Sequence, residues 1–290
     1  MHIIKLSYLQ IIPLRTVYNL IRRWKWRNWK DNTQSIYFRI PSPHKPINTR
    51  IYSASNGKKK PLIVYFHGGG WALGDLNSHH PLCQVLHEQT GNSIIAVDYR
   101  LAPKYSFPAA HDDALNAMKW IIKNIEKIGL NNGCVILAGD SAGANLATST
   151  CIALQPIERC KVNGQILLYP VVDHYSAQYF SYLEKGKGYT LTSNLMRWFW
   201  DNYHKVTTKD EPIPIQLTPI RASNLADLPP TLIITAENDP LRDEAIAYAN
   251  TLSVKGVMVQ YQHFEQAEHG FACSSGITQD FNFLLDDIQK

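Results

Sequence analysis

The stretch Gly139–Gly143, "GDSAG", sets Ser141 between the apolar run "VILA" and the small-residue run "ANLATS". A strand that passes into a helix through so short a turn holds the serine in a strained backbone geometry and projects its hydroxyl at the sheet edge. The helix N-terminus beside it favours developing negative charge. A serine hydroxyl is a weak nucleophile at neutral pH, so it needs a base, and the base needs an orienting carboxylate. Beyond Ser141 the histidines are His174, His204, His263 and His269. His174 follows Asp173 but leaves little chain for an acid-bearing strand. His204 lies in an aromatic stretch, and His263 falls inside the last strand that the pattern predicts. His269 comes just after that strand, in a loop over 266–270, and is the best-placed base. The acid belongs after the preceding strand, "TLIITAEND", which ends at Asp239, with Glu237 two residues earlier and Asp243 four later. Asp239 is the first choice and Glu237 the alternative. Asp243 reads as an exposed first-turn acid of the helix opened by Pro240.

Attack by such a serine on an ester carbonyl creates an oxyanion that needs donors about 3 Å away. "YFHGGGWALGD", Tyr65–Asp75, supplies three glycines where a buried strand ends. Glycines let the backbone approach closely and turn its N–H groups inward. Gly68, Gly69 and Gly70, with Ala142 just after the serine, are therefore candidate oxyanion donors. A phosphate cradle is the competing reading of these glycines. It fails because no G-K-[ST] follows and no G-x-G-x-x-G spacing is present.

These residues must be held by a scaffold, and the pattern predicts one. Apolar runs at 35–40, 49–54, 62–66, 92–100, 135–138, 164–170, 230–239 and 256–264 read as eight strands. Helical periodicity falls between many of them, most clearly over 108–128 and after Ser141, with a final helix near 276–289. Strand–helix alternation argues for one α/β domain built on a mostly parallel eight-stranded sheet with helices on both faces. The alternation breaks between Asp173 and about Pro219. That stretch contains "MRWFWDNYH" (196–204) and reads as an insertion, placed where a lid would sit. Trp198 and Phe199 in it, and Trp71 behind the glycines, are candidates for a substrate pocket.

Taken together and in order, "HGGGW" (67–71), "DYRLAP" (98–103), "FPAA" (107–110), "GDSAGANLA" (139–147), "DPLRDE" (239–244) and "HGF" (269–271) resemble the hormone-sensitive-lipase-like carboxylesterases of the α/β-hydrolase superfamily. The resemblance covers nearly the whole chain. It implies the α/β-hydrolase fold with a helical cap, a triad of Ser141, Asp239 and His269, and oxyanion donors at Ala142 and the glycines, Gly69 and Gly70 foremost. It also implies that the cap is made from about 1–34 together with 174–215. Serine carboxylesterase action on short-to-medium acyl esters, with no cofactor, is the expected function. An amidase, a peptidase or an acetyl-ester deacetylase could use the same triad. A ligand receptor on this fold is a further alternative, against which the retained His269 counts. Lys104 stands where the family often has an acid, and Ala144 replaces a common glycine. Asp98, Tyr99 and Arg100 read as a buried structural network, and Asp140 as a residue hydrogen-bonding its loop.

Composition limits the other classes. The chain has 290 residues and a net charge of +5, yet residues 1–30 alone carry seven basic residues and no acid. The remainder balances 22 basic against 24 acidic residues, so the body is no nucleic-acid-binding surface. In the basic arm Leu14, Val17, Ile21 and Trp24 recur at helical spacing, which predicts an amphipathic helix packed on its own protein by that face. Peripheral contact with an anionic membrane is the alternative. No apolar run is long enough to span a bilayer, and the first residues lack a signal-peptide pattern. Five cysteines without C-x-x-C spacing read as free thiols in a reducing compartment, hence a cytoplasmic location. His79, His80, His87 and His111 lack metal-ligand spacing and read as solvated or helix-surface histidines.

Overall fold

The computed structural model describes residues 8–26, 33–54, 60–130, 133–204 and 212–273. Its strands are β1 (Ser35–Ile40), β2 (Ile47–Tyr52), β3 (Leu62–Phe66), β4 (Ile94–Asp98), β5 (Val135–Asp140), β6 (Val162–Leu168), β7 (Thr231–Asn238) and β8 (Val259–Glu268). They form one sheet in the order β1-β2-β4-β3-β5-β6-β7-β8. The first two strands run antiparallel to their neighbours, and every pairing from β4 to β8 is parallel. The expected mostly parallel eight-stranded sheet is therefore what the chain forms.

β3 and β5 are buried at every position, as parallel strands covered on both faces must be. Their continuous apolar runs follow from that. The main helices are α1 (Tyr8–Lys25), α2 (His80–Thr90), α3 (Ala109–Ile128), α4 (Ala142–Ala153), α5 (Pro156–Arg159), α6 (Ser181–Glu184), α7 (Ser193–Tyr203) and α8 (Arg242–Val254). The helix expected near 276–289 lies outside the described residues. Among the described residues no helix is long and apolar enough to cross a membrane.

One boundary and one helix orientation differ from expectation in ways that matter for the site. β8 runs on to Glu268 through a register shift beside Ala236 and Asn238, so His269 sits at a strand end with no intervening loop. The helix in the basic arm forms, but it faces the other way. Leu14, Val17, Ile21 and Trp24, the expected packing face, are exposed. Ile11 and Trp26 are buried instead, and Arg15, Tyr18, Asn19 and Arg22 make hydrogen bonds. The cause is the surface beneath, which offers carbonyl oxygens. Arg15 donates to the oxygens of Ala72 and Ala102, both at 2.8 Å, while Arg22 and Trp26 donate to that of Cys273 at 3.2 and 2.9 Å. Buried carbonyls left unpaired are costly, and here arginine and tryptophan N–H groups meet them.

Candidate active site

β5 ends at Asp140 and α4 begins at Ala142, so Ser141 alone makes the turn, at φ 56° and ψ −119°. Such a backbone conformation is strained for a residue with a Cβ. It persists because its surroundings fix it. The Ser141 N–H donates to the Leu168 oxygen at 2.8 Å, and the Ser141 carbonyl accepts from Asn145 N–H at 3.1 Å. The glycines of "GDSAG" are needed for close approach. A Cβ on Gly143 would run into the Phe66 carbonyl, and one on Gly139 into the Gly143 backbone.

The turn aims Ser141 at His269, whose Nε2 lies 2.9 Å from Ser141 Oγ. On the other side His269 Nδ1 lies 2.7 Å from Asp239 Oδ2. A carboxylate only accepts, so Nδ1 carries the proton, Nε2 is left as an acceptor, and the Ser141 hydroxyl donates to it. Asp239 is almost wholly buried and its other oxygen accepts from the Leu241 N–H at 2.8 Å. Tyr169 packs edge-on against the imidazole with ring centroids 4.7 Å apart. The strand ends of β5, β7 and β8 thus bring three residues, spread over 128 positions, into one hydrogen-bonded line.

The competing residues are placed elsewhere. Glu237 is bound by Lys185 at 3.0 Å, Arg242 at 2.7 Å and His263 at 3.2 Å. Asp243 holds Arg242 and accepts from the Ser181 N–H, so it is tied into the 181–184 segment and is no free surface acid. His174 bonds Ser176, and burial followed by the Arg221 charge lowers its pKa to about 4. None of these groups bonds to His269 or Ser141 among the described residues.

The glycine stretch divides its labour. The Gly68 N–H donates to Asp140 Oδ1 at 2.8 Å, so Gly68 is committed to its own scaffold and is removed from the donor set. The N–H groups of Gly69, Gly70 and Ala142 meet no acceptor among the described residues. Gly69 and Gly70 take φ values of +119° and +59°, which a side chain would resist. A Cβ on Gly70 would also strike the Phe199 ring. Gly70→Ala is therefore expected to move both the donor and Phe199. The loss should be roughly 10²-fold in kcat/KM on an activated ester, about that of removing one oxyanion donor. A thermal melt close to that of wild type separates this effect from unfolding.

Trp71 does not line an opening. It is fully buried, stacked on Tyr203 at 4.9 Å and edge-on to Trp200 at 5.0 Å, so it pins α7 over the glycine turn. Phe199 is nearly buried beside Gly70, and Trp198 packs edge-on against it at 5.2 Å.

Asp140 proves to be the hub under the site, a role that its position next to the nucleophile did not reveal. Tyr65 Oη donates to its Oδ1 at 2.6 Å, beside the Gly68 N–H. Its Oδ2 faces His79 Nε2 at 3.4 Å and the Cys273 thiol at 3.7 Å. Burial opposes charge on both partners, yet each stabilises the other's ion. His79 is held well above the usual histidine range and Asp140 below the usual carboxylate range. His79 is thus buried against Asp140, which favours its charged form, contrary to its reading as a surface residue. His111 is buried too, bonded to Tyr203, Asn145 and the Gln216 carbonyl, with burial lowering its pKa to about 4. His67 is likewise kept neutral, lowered to about 4 by burial and then by the charge on His79. It stacks on Tyr99, whose hydroxyl donates to the His67 carbonyl at 2.6 Å. Asp98 and Arg100 serve other partners, Asn48 and Asp113, so the expected single network is three separate contacts.

His79, Asp140 and Cys273 have ligand-type atoms within 4.8 Å of one another, the one such group among the described residues. Asp140 already engages both other members through the ion pair and the thiol hydrogen bond.

Comparison with known proteins agrees with this architecture. Residues 63–273 match the sequence pattern of the α/β-hydrolase-fold family, and the chain belongs to that family, in its hormone-sensitive-lipase-like branch. It is 37% identical over 239 residues to the carboxylic ester hydrolase LipN of Mycobacterium tuberculosis, covering 80% of this chain and 62% of that protein. It is 36% identical over 230 residues to an ethyl acetate hydrolase of Pseudomonas putida, covering 79% and 68%. Among solved structures, a hyperthermophilic esterase from Pyrobaculum calidifontis superposes with a TM-score of 0.89 at 34% identity, over 96% of this chain and 90% of that one. The chain thus spans less than two thirds of LipN and most of the Pyrobaculum esterase.

Proposed function

We propose that this protein is a serine carboxylesterase acting on short-to-medium acyl esters, with Ser141 as nucleophile, His269 as base and Asp239 as orienting acid. The observation that carries the reading is the line Ser141 Oγ–His269 Nε2 at 2.9 Å and His269 Nδ1–Asp239 Oδ2 at 2.7 Å, beside backbone donors that meet no acceptor among the described residues. Ser141 attacks the ester carbonyl while His269 takes its proton. The N–H groups of Gly69, Gly70 and Ala142 receive the oxyanion, which exists only as the bond forms and so is stabilised selectively. Collapse expels the alcohol on the proton held by His269. Water, deprotonated by the same imidazole, then releases the acid from Ser141.

The helices over this site, α1 and α7 with the segment around them, serve in this reading as the cap that selects the acyl chain, with Phe199 beside Gly70 and Trp198 packed on Phe199. Five free thiols support a reducing compartment such as the cytoplasm. The test is a panel of p-nitrophenyl esters from acetate to palmitate. Turnover should be highest on the short and medium chains. Absence of turnover on every ester, with a folded protein by circular dichroism, would overturn the assignment.

A further inference from the structure

α1 is amphipathic in an inverted sense. Its polar face, Arg15, Asn19 and Arg22 with Ile11, Tyr18 and Trp26, is the one that grips the protein. The opposite face carries Leu14, Val17, Leu20, Ile21 and Trp24, with exposures between 43% at Leu14 and 63% at Trp24. Solitary exposed apolar residues are commonplace on protein surfaces, whereas a contiguous ridge of five on one helix marks an interaction surface. The helix cannot simply roll over to bury the ridge. Doing so would break the bonds of Arg15 to Ala72 and Ala102, of Asn19 to Asp75, and of Arg22 and Trp26 to Cys273.

From this ridge and the charge around it, we infer that α1 docks the protein peripherally on an anionic phospholipid surface. The charge decides the partner. The first 30 residues hold seven basic residues and no acid, and among the described residues Arg15 and Arg22 donate inward to carbonyl oxygens. Lys5, Arg23, Lys25, Arg27 and Lys30 add further positive charge to the same stretch of sequence. Pairing this helix with its counterpart in a second copy would set two acid-free basic arms side by side, a repulsive arrangement. A bilayer carrying anionic headgroups attracts that charge while its interface accepts leucine, isoleucine and tryptophan side chains. The inner face of the same helix contacts the carbonyls of Ala72 and Cys273, next to the glycine turn and to the strand end bearing His269. Docking through the outer face therefore brings the region of the candidate active site close to the lipid surface, where apolar esters partition.

The experiment is co-sedimentation of the full chain with vesicles of phosphatidylcholine, alone or mixed with about one-third phosphatidylglycerol. Wild type should pellet with the mixed vesicles, do so less as salt rises, and remain in solution with phosphatidylcholine alone. Val17→Glu/Leu20→Glu should reduce the bound fraction at least tenfold while leaving the thermal melt unchanged, because both side chains point away from the protein. Arg27→Gln/Lys30→Gln should weaken binding and flatten its salt dependence. The inference is overturned if wild type fails to bind the mixed vesicles, or if the double glutamate variant binds as well as wild type. It is also overturned if size-exclusion light scattering finds a dimer that the glutamates dissociate, which would make a second copy the occupant. No turnover is read in any arm, so failure of the esterase reading leaves this result standing, and the reverse holds too.

Discussion

Ser141→Ala is expected to lower p-nitrophenyl ester turnover by about 10⁵- to 10⁶-fold, the loss seen when a triad nucleophile is removed. The residual rate would come from binding and from the oxyanion donors, which the substitution leaves in place. Fold should survive, because alanine keeps the Cβ, and the strained turn is held by backbone bonds from Ser141 N–H to Leu168 and from Asn145 N–H to the Ser141 carbonyl. Among the described residues the hydrogen bond from Oγ to His269 Nε2 is the one side-chain bond of Ser141 that is lost, a contribution of about 1 kcal/mol. A melting temperature within a few degrees of wild type together with near-background turnover is the predicted pair of results. Substantial turnover in a purified Ser141→Ala sample would require a different nucleophile.

The order Ser141, Asp239, His269 could be read from the sequence because each sits where a predicted apolar run ends, and strand ends share one edge of a parallel sheet. The glycines after β3 could be read for the same reason. What could not be read were the bonds that cross the chain at long separation. Gly68 is a candidate donor in the sequence behind Gly69 and Gly70, and its contact with Asp140, 72 positions away, removes it. His79, without metal-ligand spacing, reads as a surface histidine, while in the fold it is buried facing the carboxylate of Asp140. The basic arm shows the limit of periodicity most clearly. Helical spacing identified two stripes on α1 but carried no information about which stripe the surface beneath would accept. Carbonyl oxygens at Ala72, Ala102 and Cys273 select the arginine-bearing stripe, and no pattern local to residues 8–25 could reveal them. The extension of β8 to Glu268 is similar. The run past His263 is polar and half-exposed, so hydrophobicity does not signal a strand, and pairing with β7 determines it.

Asp239→Asn is expected to lower kcat by about 10⁴-fold with little change in KM, and the hydrogen bonds around Asp239 explain why. Its two oxygens are both used as acceptors, Oδ1 by the Leu241 N–H at 2.8 Å and Oδ2 by His269 Nδ1–H at 2.7 Å. An asparagine has a single oxygen for those two donors. With that oxygen kept on the buried Leu241 N–H, the amide NH₂ faces His269 and donates to Nδ1. The proton of the neutral imidazole is then driven to Nε2, which can no longer take one from Ser141. The alternative orientation leaves a buried backbone N–H facing a donor, a cost of about 1–3 kcal/mol that favours the unproductive arrangement. Loss of the carboxylate also removes the charge that stabilises the imidazolium formed during attack. Glu237→Gln, two residues away in the chain, is the control. Glu237 is about one-third exposed and bound to Lys185, Arg242 and His263, none of which bonds to Ser141 or His269 among the described residues. Its neutralisation should change turnover by no more than a few-fold and stability by less than about 1 kcal/mol, as for other solvent-screened ion pairs. Parallel kinetics on the two variants decide between the acids: a crippled Glu237→Gln beside an active Asp239→Asn would transfer the orienting role to Glu237.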